Sequence, residues 1–566
     1  MSLNTFRLKL AYLASVMFVF LAGQHVYGQL VSEPVALPDD LHASAPLRWA
    51  DLDGDGDFDI VARWAGYYEY RLKIYENVNQ SFVEVSNPFN GTYQLANFDL
   101  GDYDADGDVD ILIVDNQTLK IASNTGHLSF ALQSTTMTDN MNPPAAHWQD
   151  LDGDLDLDIV LDHLLFVNDQ GAYTKALREL PEFIHEVAWA DLNNDGFADF
   201  VGTRFETGDS NPLYLYLNAG DGSFKETASF PGSVRVSQLR WLDVDADKDL
   251  DLLVADFHDK CKLYVNSFAQ SGTVTLTPSF TFDELGLSLS AVGDVDRDGR
   301  TDVVLSGATS EGDKNTFLYR NTSTVAAISF EVLDLKISTH DSWNLTLIDK
   351  DNDLDLDLFL TAANDIYGDD TFRKFYEFSY TAITGAPSGP TNLASQSGKN
   401  ITLSWDFPMT NLYANVEVKR NGAPYNAALV TANGKYLFPG LASPCVDKKV
   451  VLHGLPEGSY EWRVQAIDAA NRSSAFSSLQ SFTITAPPTA LTLTAIEYNQ
   501  VKLDWSYAGS AQNGFAVFRR STNTPLTEIG TTSAGVKTFT DKGIPSSEHV
   551  EYLVEAIVGK IGRAHV

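Results

Sequence analysis

Trp49-Ala50-Asp51-Leu52-Asp53-Gly54-Asp55-Gly56-Asp57-Phe58-Asp59-Ile60-Val61 sets a run of alternating aspartates between two apolar stretches. Its nine-residue core, Asp-x-Asp-x-Asp-Gly-x-x-Asp, returns with variations starting at Asp102, Asp150, Asp191, Asp243, Asp294 and Asp349. Successive starts lie 51, 48, 41, 52, 51 and 55 residues apart. A period of this size marks a repeat architecture in which each unit is one supersecondary element.

Around the first copy, Leu47-Arg48-Trp49-Ala50 leads in and Ile60-Val61-Ala62 follows. Residues 72–77 then alternate, and a turn leads to Phe82-Val83-Glu84-Val85. These read as four short strands joined by turn chemistry. Ile111-Leu112-Ile113-Val114 and Leu252-Leu253-Val254 fill the second-strand position of later units. Tyr216-Leu217-Asn218, Tyr264-Val265-Asn266 and Tyr319-Arg320-Asn321 fill the third, each ending in Asn. The expectation is an all-β chain in which residues 29–386 form a seven-bladed β-propeller. A solenoid would show the same period, and closure separates the two. The last unit has strands at Leu358-Phe359-Leu360 and near Lys374-Phe375-Tyr376-Glu377-Phe378, then reaches Pro387 without a fourth. Residues 29–35 read as an orphan strand, and pairing the two would remove both free edges. Two positions before each leading aspartate stand Trp49, Leu100, Trp148, Trp189, Trp241, Val292 and Leu347. They are expected to pack between units rather than to form a sugar-stacking platform.

Alternate carboxylates on a tight loop are hard oxygen donors suited to calcium. In the first loop the side chains of Asp51, Asp53, Asp55 and Asp59 can converge, with the backbone carbonyl of Asp57 completing the shell. The second loop offers Asp102, Asp104, Asp106 and Asp110 with the Asp108 carbonyl, and the third Asp150, Asp152, Asp154 and Asp158 with that of Asp156. The fourth offers Asp191, Asn193, Asp195 and Asp199 with the carbonyl of Phe197, and the fifth Asp243, Asp245, Asp247 and Asp251 with that of Asp249. The sixth offers Asp294, Asp296, Asp298 and Asp302 with the Arg300 carbonyl, and the seventh Asp349, Asp351, Asp353 and Asp357 with that of Asp355. Up to seven calcium ions are expected. An EF-hand is excluded, because its position-twelve Glu is replaced by Ala62, Ile113, Leu161, Gly202, Val254, Leu305 and Leu360. Magnesium suits less well, since it demands stricter six-ligand geometry.

Position six, where the chain turns sharply, is Gly56, Gly107, Gly196 and Gly299 in four loops but Leu155, Lys248 and Leu354 in the others. A β-carbon in a left-handed conformation costs roughly 1–2 kcal/mol. Asn193 removes one charge from the fourth loop. The alternative for individual loops is a solvated acidic turn without an ion.

The seven motifs hold 32 of the 76 acidic residues, so much of the net charge of −37 is ligand-type charge. Such a surface repels nucleic acid and anionic membrane. Arg7, Lys9, the apolar run Leu10 to Ala22 and Val26-Tyr27-Gly28 read as a secretory signal over residues 1–28, cut before Gln29, with an uncleaved anchor as the alternative. No transmembrane segment is expected after that cut. Cys261 and Cys445 are the only cysteines, so a disulfide framework is excluded.

On these motifs residues 29–386 resemble the VCBS/FG-GAP family of β-propellers, an architecture also found in integrin α-subunit heads. The resemblance implies the propeller and its calcium loops and leaves the partner open.

Composition shifts at Thr384-Gly385-Ala386-Pro387-Ser388-Gly389-Pro390. Beyond it, Ile401-Thr402-Leu403-Ser404-Trp405 alternates, and residues 455–466 resemble the E–F corner and F strand of a fibronectin type III domain, with Tyr460 as corner tyrosine. Residues 387–486 are expected to form one such sandwich and 487–560 a second, with Val501-Lys502-Leu503-Asp504-Trp505 and Glu551-Tyr552-Leu553-Val554-Glu555-Ala556 as its B and F strands. The second is expected to be incomplete, with no G strand. Ile561-Gly562-Arg563-Ala564-His565-Val566 resembles a translated sequencing adapter, with a genuine ending as the alternative. Sandwiches of this kind usually act as spacers.

The combination resembles secreted surface proteins of Bacteroidota. It implies a secreted or cell-surface adhesion module that binds an extracellular protein or glycan. The alternative is a carbohydrate-active enzyme such as a propeller-type polysaccharide lyase. His42, His127, His147, His163, His185, His258 and His340 show no metal-type spacing, and no catalytic set stands out. No catalytic role is expected.

Overall fold

The computed structural model describes residues 31–34 and most of 47–564, leaving out chiefly 66–69, 87–94, 136–145, 177–179, 181–183, 205–211, 231–235, 309–313, 364–370, 379–386, 427–447, 508–513 and 558–562. The signal segment, Cys445, Asn352 and Leu354 lie outside the described residues. The fold is all-β and built from many small antiparallel sheets.

Each acidic motif joins the first and second strands of a four-stranded meander, and its last aspartate opens the second strand. In the first sheet the strands are Leu47–Ala50, Asp59–Ala65, Tyr70–Val78 and Ser81–Glu84. The same order recurs from Leu95–Gly101, Ala146–Gln149 and Ile184–Ala190. The fifth and sixth units merge into one seven-stranded sheet. Its cause is a single 18-residue strand, Leu276–Gly293, which serves as the outer strand of one unit and the inner strand of the next. The last unit contributes Asp341–Ile348, Asp357–Ala363 and Thr371–Glu377, and its fourth strand is Val31–Pro34. The register runs from Val31 opposite Glu377 to Pro34 opposite Lys374, so the two chain regions expected to pair do so.

Apolar side chains on facing sheets form a sequence of shared cores. Leu52 and Ile74 meet Phe98 and Ile111, Leu112 and Ile121 meet Trp148 and Ile159, and Leu151 and Val160 meet Phe200 and Tyr216. The pattern continues through Leu215 with Leu252, Leu253 with Val303, and Val304 with Leu358. The seventh sheet then packs on the first. Trp49, Ile60 and Tyr75 share a core with Ile348, Phe359 and Phe375, with the Trp49 ring 5.0 Å from that of Phe359. The tryptophans expected to pack between units do so. Trp49 and Trp148 are buried, and Trp189 and Trp241 pack half-buried against the same cores.

In the second, fourth and sixth units the Asn at the end of the third strand ties the unit to the one before it. Asn218 Nδ2 donates to Leu151 O of the preceding unit at 2.8 Å and to Ala198 O of its own at 3.2 Å. Asn124 reaches Leu52 O, and Asn321 reaches Val244 O, in the same way. Sequence reading noted the recurrent Asn but not this bracing role.

After residue 390 two three-plus-four-stranded pairs of sheets follow. In the first pair Tyr460 is fully buried and donates its hydroxyl to Pro456 O at 2.7 Å, as a corner tyrosine should. In the second, the two-residue strand Arg563–Ala564 pairs at the edge of Val550–Ile557, although the sequence suggested no strand there.

The first sandwich is not held away as a spacer. It packs on the acidic loops. His453 N–H donates to Gly153 O at 2.9 Å, and Asp294 N–H donates to Ala469 O at 2.9 Å.

Replacing Asn218 with Ala strands two buried carbonyls, each costing about 1–3 kcal/mol. Equilibrium urea unfolding should register a loss of about 2 kcal/mol or more; a change within about 0.5 kcal/mol, the range of an ordinary surface substitution, would show that the brace is idle.

Candidate metal centres

Each acidic loop is shaped by its own carboxylates before any ion is considered. The position-one aspartate accepts the N–H of position six through one oxygen. These bonds are Gly56 to Asp51, Gly107 to Asp102, Leu155 to Asp150, Gly196 to Asp191, Lys248 to Asp243 and Gly299 to Asp294, at 2.8–3.2 Å. The position-five carboxylate accepts the N–H two residues on. Asp55, Asp106, Asp154, Asp195, Asp247, Asp298 and Asp353 all do so at 2.9–3.1 Å. Position nine bridges further. Asp59 Oδ2 accepts Leu52 N–H at 2.9 Å while its Oδ1 accepts Asn77 N–H at 2.8 Å, the residue ending the third strand. Asp110, Asp158, Asp199, Asp251 and Asp302 repeat both bonds.

The turn at position six is left-handed as expected, at φ +94° for Gly56, and Leu155 and Lys248 adopt it too, at +78° and +77°. Position four is left-handed as well, including Ala105 at +58° and Arg297 at +62°. That second reversal was not legible, because only two of the seven loops place Gly there.

These bonds turn alternate carboxylates toward one point. Oxygens from positions one, three and nine lie within 4.8 Å of one another in the sets Asp51, Asp53, Asp59; Asp102, Asp104, Asp110; Asp150, Asp152, Asp158; Asp243, Asp245, Asp251; and Asp294, Asp296, Asp302. In the fourth loop Asn193 holds position three, and its Oδ1 accepts Asp195 N–H at 3.0 Å. The position-five carboxylates are not in these three-residue sets. Oδ1 of Asp57 and of Asp152 is buried without a hydrogen-bond partner among the described residues. Burial foremost pushes Asp59 up to about 8, Asp158 to about 9 and Asp199 to about 8, and the neighbouring carboxylates push the same way. Asp51 and Asp243 rise to about 6 and about 7 for the same reasons. Hard oxygen donors, crowded negative charge and unsatisfied buried oxygens fit a divalent cation.

The sixth and seventh loops carry protein cations of their own. Arg320 pairs with Asp296, and Arg300 pairs with Asp298. Arg297, in the sixth loop, reaches Asp355 of the seventh at 2.6 Å. Lys350 replaces the apolar residue found at position two in the other loops. Its Nζ lies 2.8 Å from Glu377, 3.5 Å from Asp357 and 3.6 Å from Asp351. Phe378 stands where the other units end their third strand in Asn, and Asp357 Oδ1 is buried without a hydrogen-bond partner among the described residues.

Four segments, residues 51–113, 102–161, 191–254 and 243–305, match the family described as FG-GAP-like repeat. Together they take in the first six acidic loops. A search of curated proteins returned no match. Among solved structures the chain is similar to a two fibronectin type III domain segment from chicken tenascin. The identity is 13% and the TM-score 0.16, covering 32% of this chain and 97% of that one. It is also similar to the chicken CNTN1 FN1-FN3 domains at 12% identity and a TM-score of 0.20, covering 49% and 96%.

A carboxylate whose folded pKa is raised binds more protons folded than unfolded, so stability falls as pH rises from about 4 through the folded value. The chelated protein should therefore melt higher at pH 5 than at pH 8. A metal-loaded sample should lose most of that dependence. Scanning calorimetry at both pH values, with and without chelator, checks this; equal slopes would contradict it.

Proposed function

We propose that the chain is a secreted or cell-surface, calcium-binding, closed seven-bladed β-propeller followed by two fibronectin type III-like sandwiches. It binds an extracellular protein or glycan and catalyses nothing. The observation that carries this reading is the seven-fold recurrence of one acidic loop, the first six sharing one internal bonding scheme, set in sheets that pack each on the next and the seventh on the first.

Calcium would be held by the carboxylates of positions one, three, five and nine and the carbonyl of position seven. When bound it would neutralise the crowded charge and fix loops on one rim. The protein's residues do the rest. The buried position-nine aspartates anchor the first six loops to their third strands, and the left-handed turns keep the carboxylates convergent. The partner then meets a rigid rim rather than a set of mutually repelling acidic turns.

Two outcomes test the metal reading. Asp53→Ala should lower calcium affinity and the melting temperature more than Asn193→Ala, because it removes a charged ligand. In the seventh loop Lys350 and Arg297 already supply positive charge, so elemental analysis should count fewer than seven calcium ions per chain; seven would contradict the role given to these two residues.

Binding is tested by screening the secreted chain on glycan and extracellular-protein arrays with calcium, then with chelator, then with calcium restored. A hit that disappears and returns supports the reading. Turnover of a polysaccharide, abolished by one substitution outside the acidic loops, would overturn it in favour of an enzyme.

A further inference from the structure

The first sandwich meets the third to sixth acidic loops through their backbone groups and through side chains that alternate with the carboxylates. In the third loop Gly153 supplies the carbonyl that accepts His453 N–H at 2.9 Å, and Leu155 packs against the sandwich core around Trp462 and Tyr460. In the fourth, Asp195 O lies 2.8 Å from His453 Nε2, and the Phe197 ring stacks on the His453 imidazole with centroids 3.8 Å apart. A β-carbon on Gly196 would sit 2.2 Å from Val451 O, so only glycine allows this approach. In the fifth, Tyr413 packs beside Asp243, which with burial pushes the phenol up to about 12. In the sixth, Asp294 N–H donates to Ala469 O at 2.9 Å.

These contacts explain departures from the repeat. Leu155 keeps a left-handed turn at φ +78° that glycine would adopt more readily, and its side chain is seated in the sandwich. Phe197 replaces the acidic residue at a position where the loop needs only a carbonyl, and its ring faces the sandwich. Positions four and six of the third loop, position six of the fourth and the Phe197 ring face the sandwich, while Leu151 and Leu157 at positions two and eight pack in the sheet cores.

We infer that occupation of the third and fourth loops by a divalent cation holds the first sandwich docked, so that the two parts form a metal-controlled clasp. This rests on the calcium reading above. Without the cation, Asp150, Asp152 and Asp154 repel one another across the segment that presents Gly153 and Leu155. The docking surface then loses the fixed backbone on which both the His453 hydrogen bond and the Phe197 stack depend. With the cation bound, the surface is pre-formed and the sandwich seats on it at little ordering cost.

The test uses the whole secreted chain, with calcium as the probe. Metal content is measured by a calcium-sensitive dye, docking by hydrogen exchange at the His453 amide and by small-angle scattering. Chelation should speed exchange at His453 by about tenfold or more and enlarge the radius of gyration, with both reversed by calcium. Amides of Val418 and Trp462, inside the sandwich, should stay protected. Release of metal with no change at His453 or in the radius overturns the clasp and leaves the calcium reading standing. Absence of bound metal from the start overturns both. His453→Ala, which removes a side chain that meets Asp195 only at its backbone carbonyl, should give the expanded scattering profile even in calcium with the metal count unchanged; a compact profile would overturn the role given to this contact.

Discussion

A buried aspartate joins the start of each of the first six acidic loops to the third strand of its sheet, and the rest of the architecture depends on it. Asp302 is fully buried and accepts Val295 N–H at 3.0 Å and Asn321 N–H at 2.7 Å. Asn321 in turn braces the preceding unit through Val244 O. One carboxylate thus connects loop, sheet and neighbour. Burying a charge is costly unless it is compensated, and two backbone donors compensate only in part. Each unit therefore carries a standing demand for positive charge at the same place.

The units meet that demand differently. The first three, the fifth and the sixth bring three aspartates together in a set that a divalent cation would bridge. The sixth recruits Arg320 and Arg300, and the seventh is served by Lys350 and by Arg297 from its neighbour. A repeat that looks uniform by spacing is electrostatically graded along the chain. The same grading governs contacts. Leu155, Gly196 and Phe197 depart from one another in type because the first sandwich rests on them.

Much of this was legible in the sequence because it follows from periodicity. The strand pattern, the pairing of residues 31–34 with the last unit, the left-handed turn at position six and the Tyr460 corner each rest on local spacing or on one residue's conformational needs. What was not legible depends on residues far apart in the chain. The Asn218 brace joins positions 67 residues apart, and the His453 contact with Asp195 spans 258. Lys350 was visible as a basic residue at an apolar position, but its meaning required Glu377 and Asp357 beside it. The docked sandwich was missed because linker composition speaks to flexibility and not to what the linked part rests on.

Everything proposed for the acidic loops turns on whether their convergent carboxylates hold a divalent cation. Anomalous diffraction from crystals of the chain, grown in calcium and exchanged with a lanthanide, is the decisive test. Peaks are expected within Asp51, Asp53 and Asp59 and within the corresponding residues of the next four loops, and none beside Lys350. A map with no peaks at these carboxylates, or with peaks confined to the outer surface of the molecule, would contradict it.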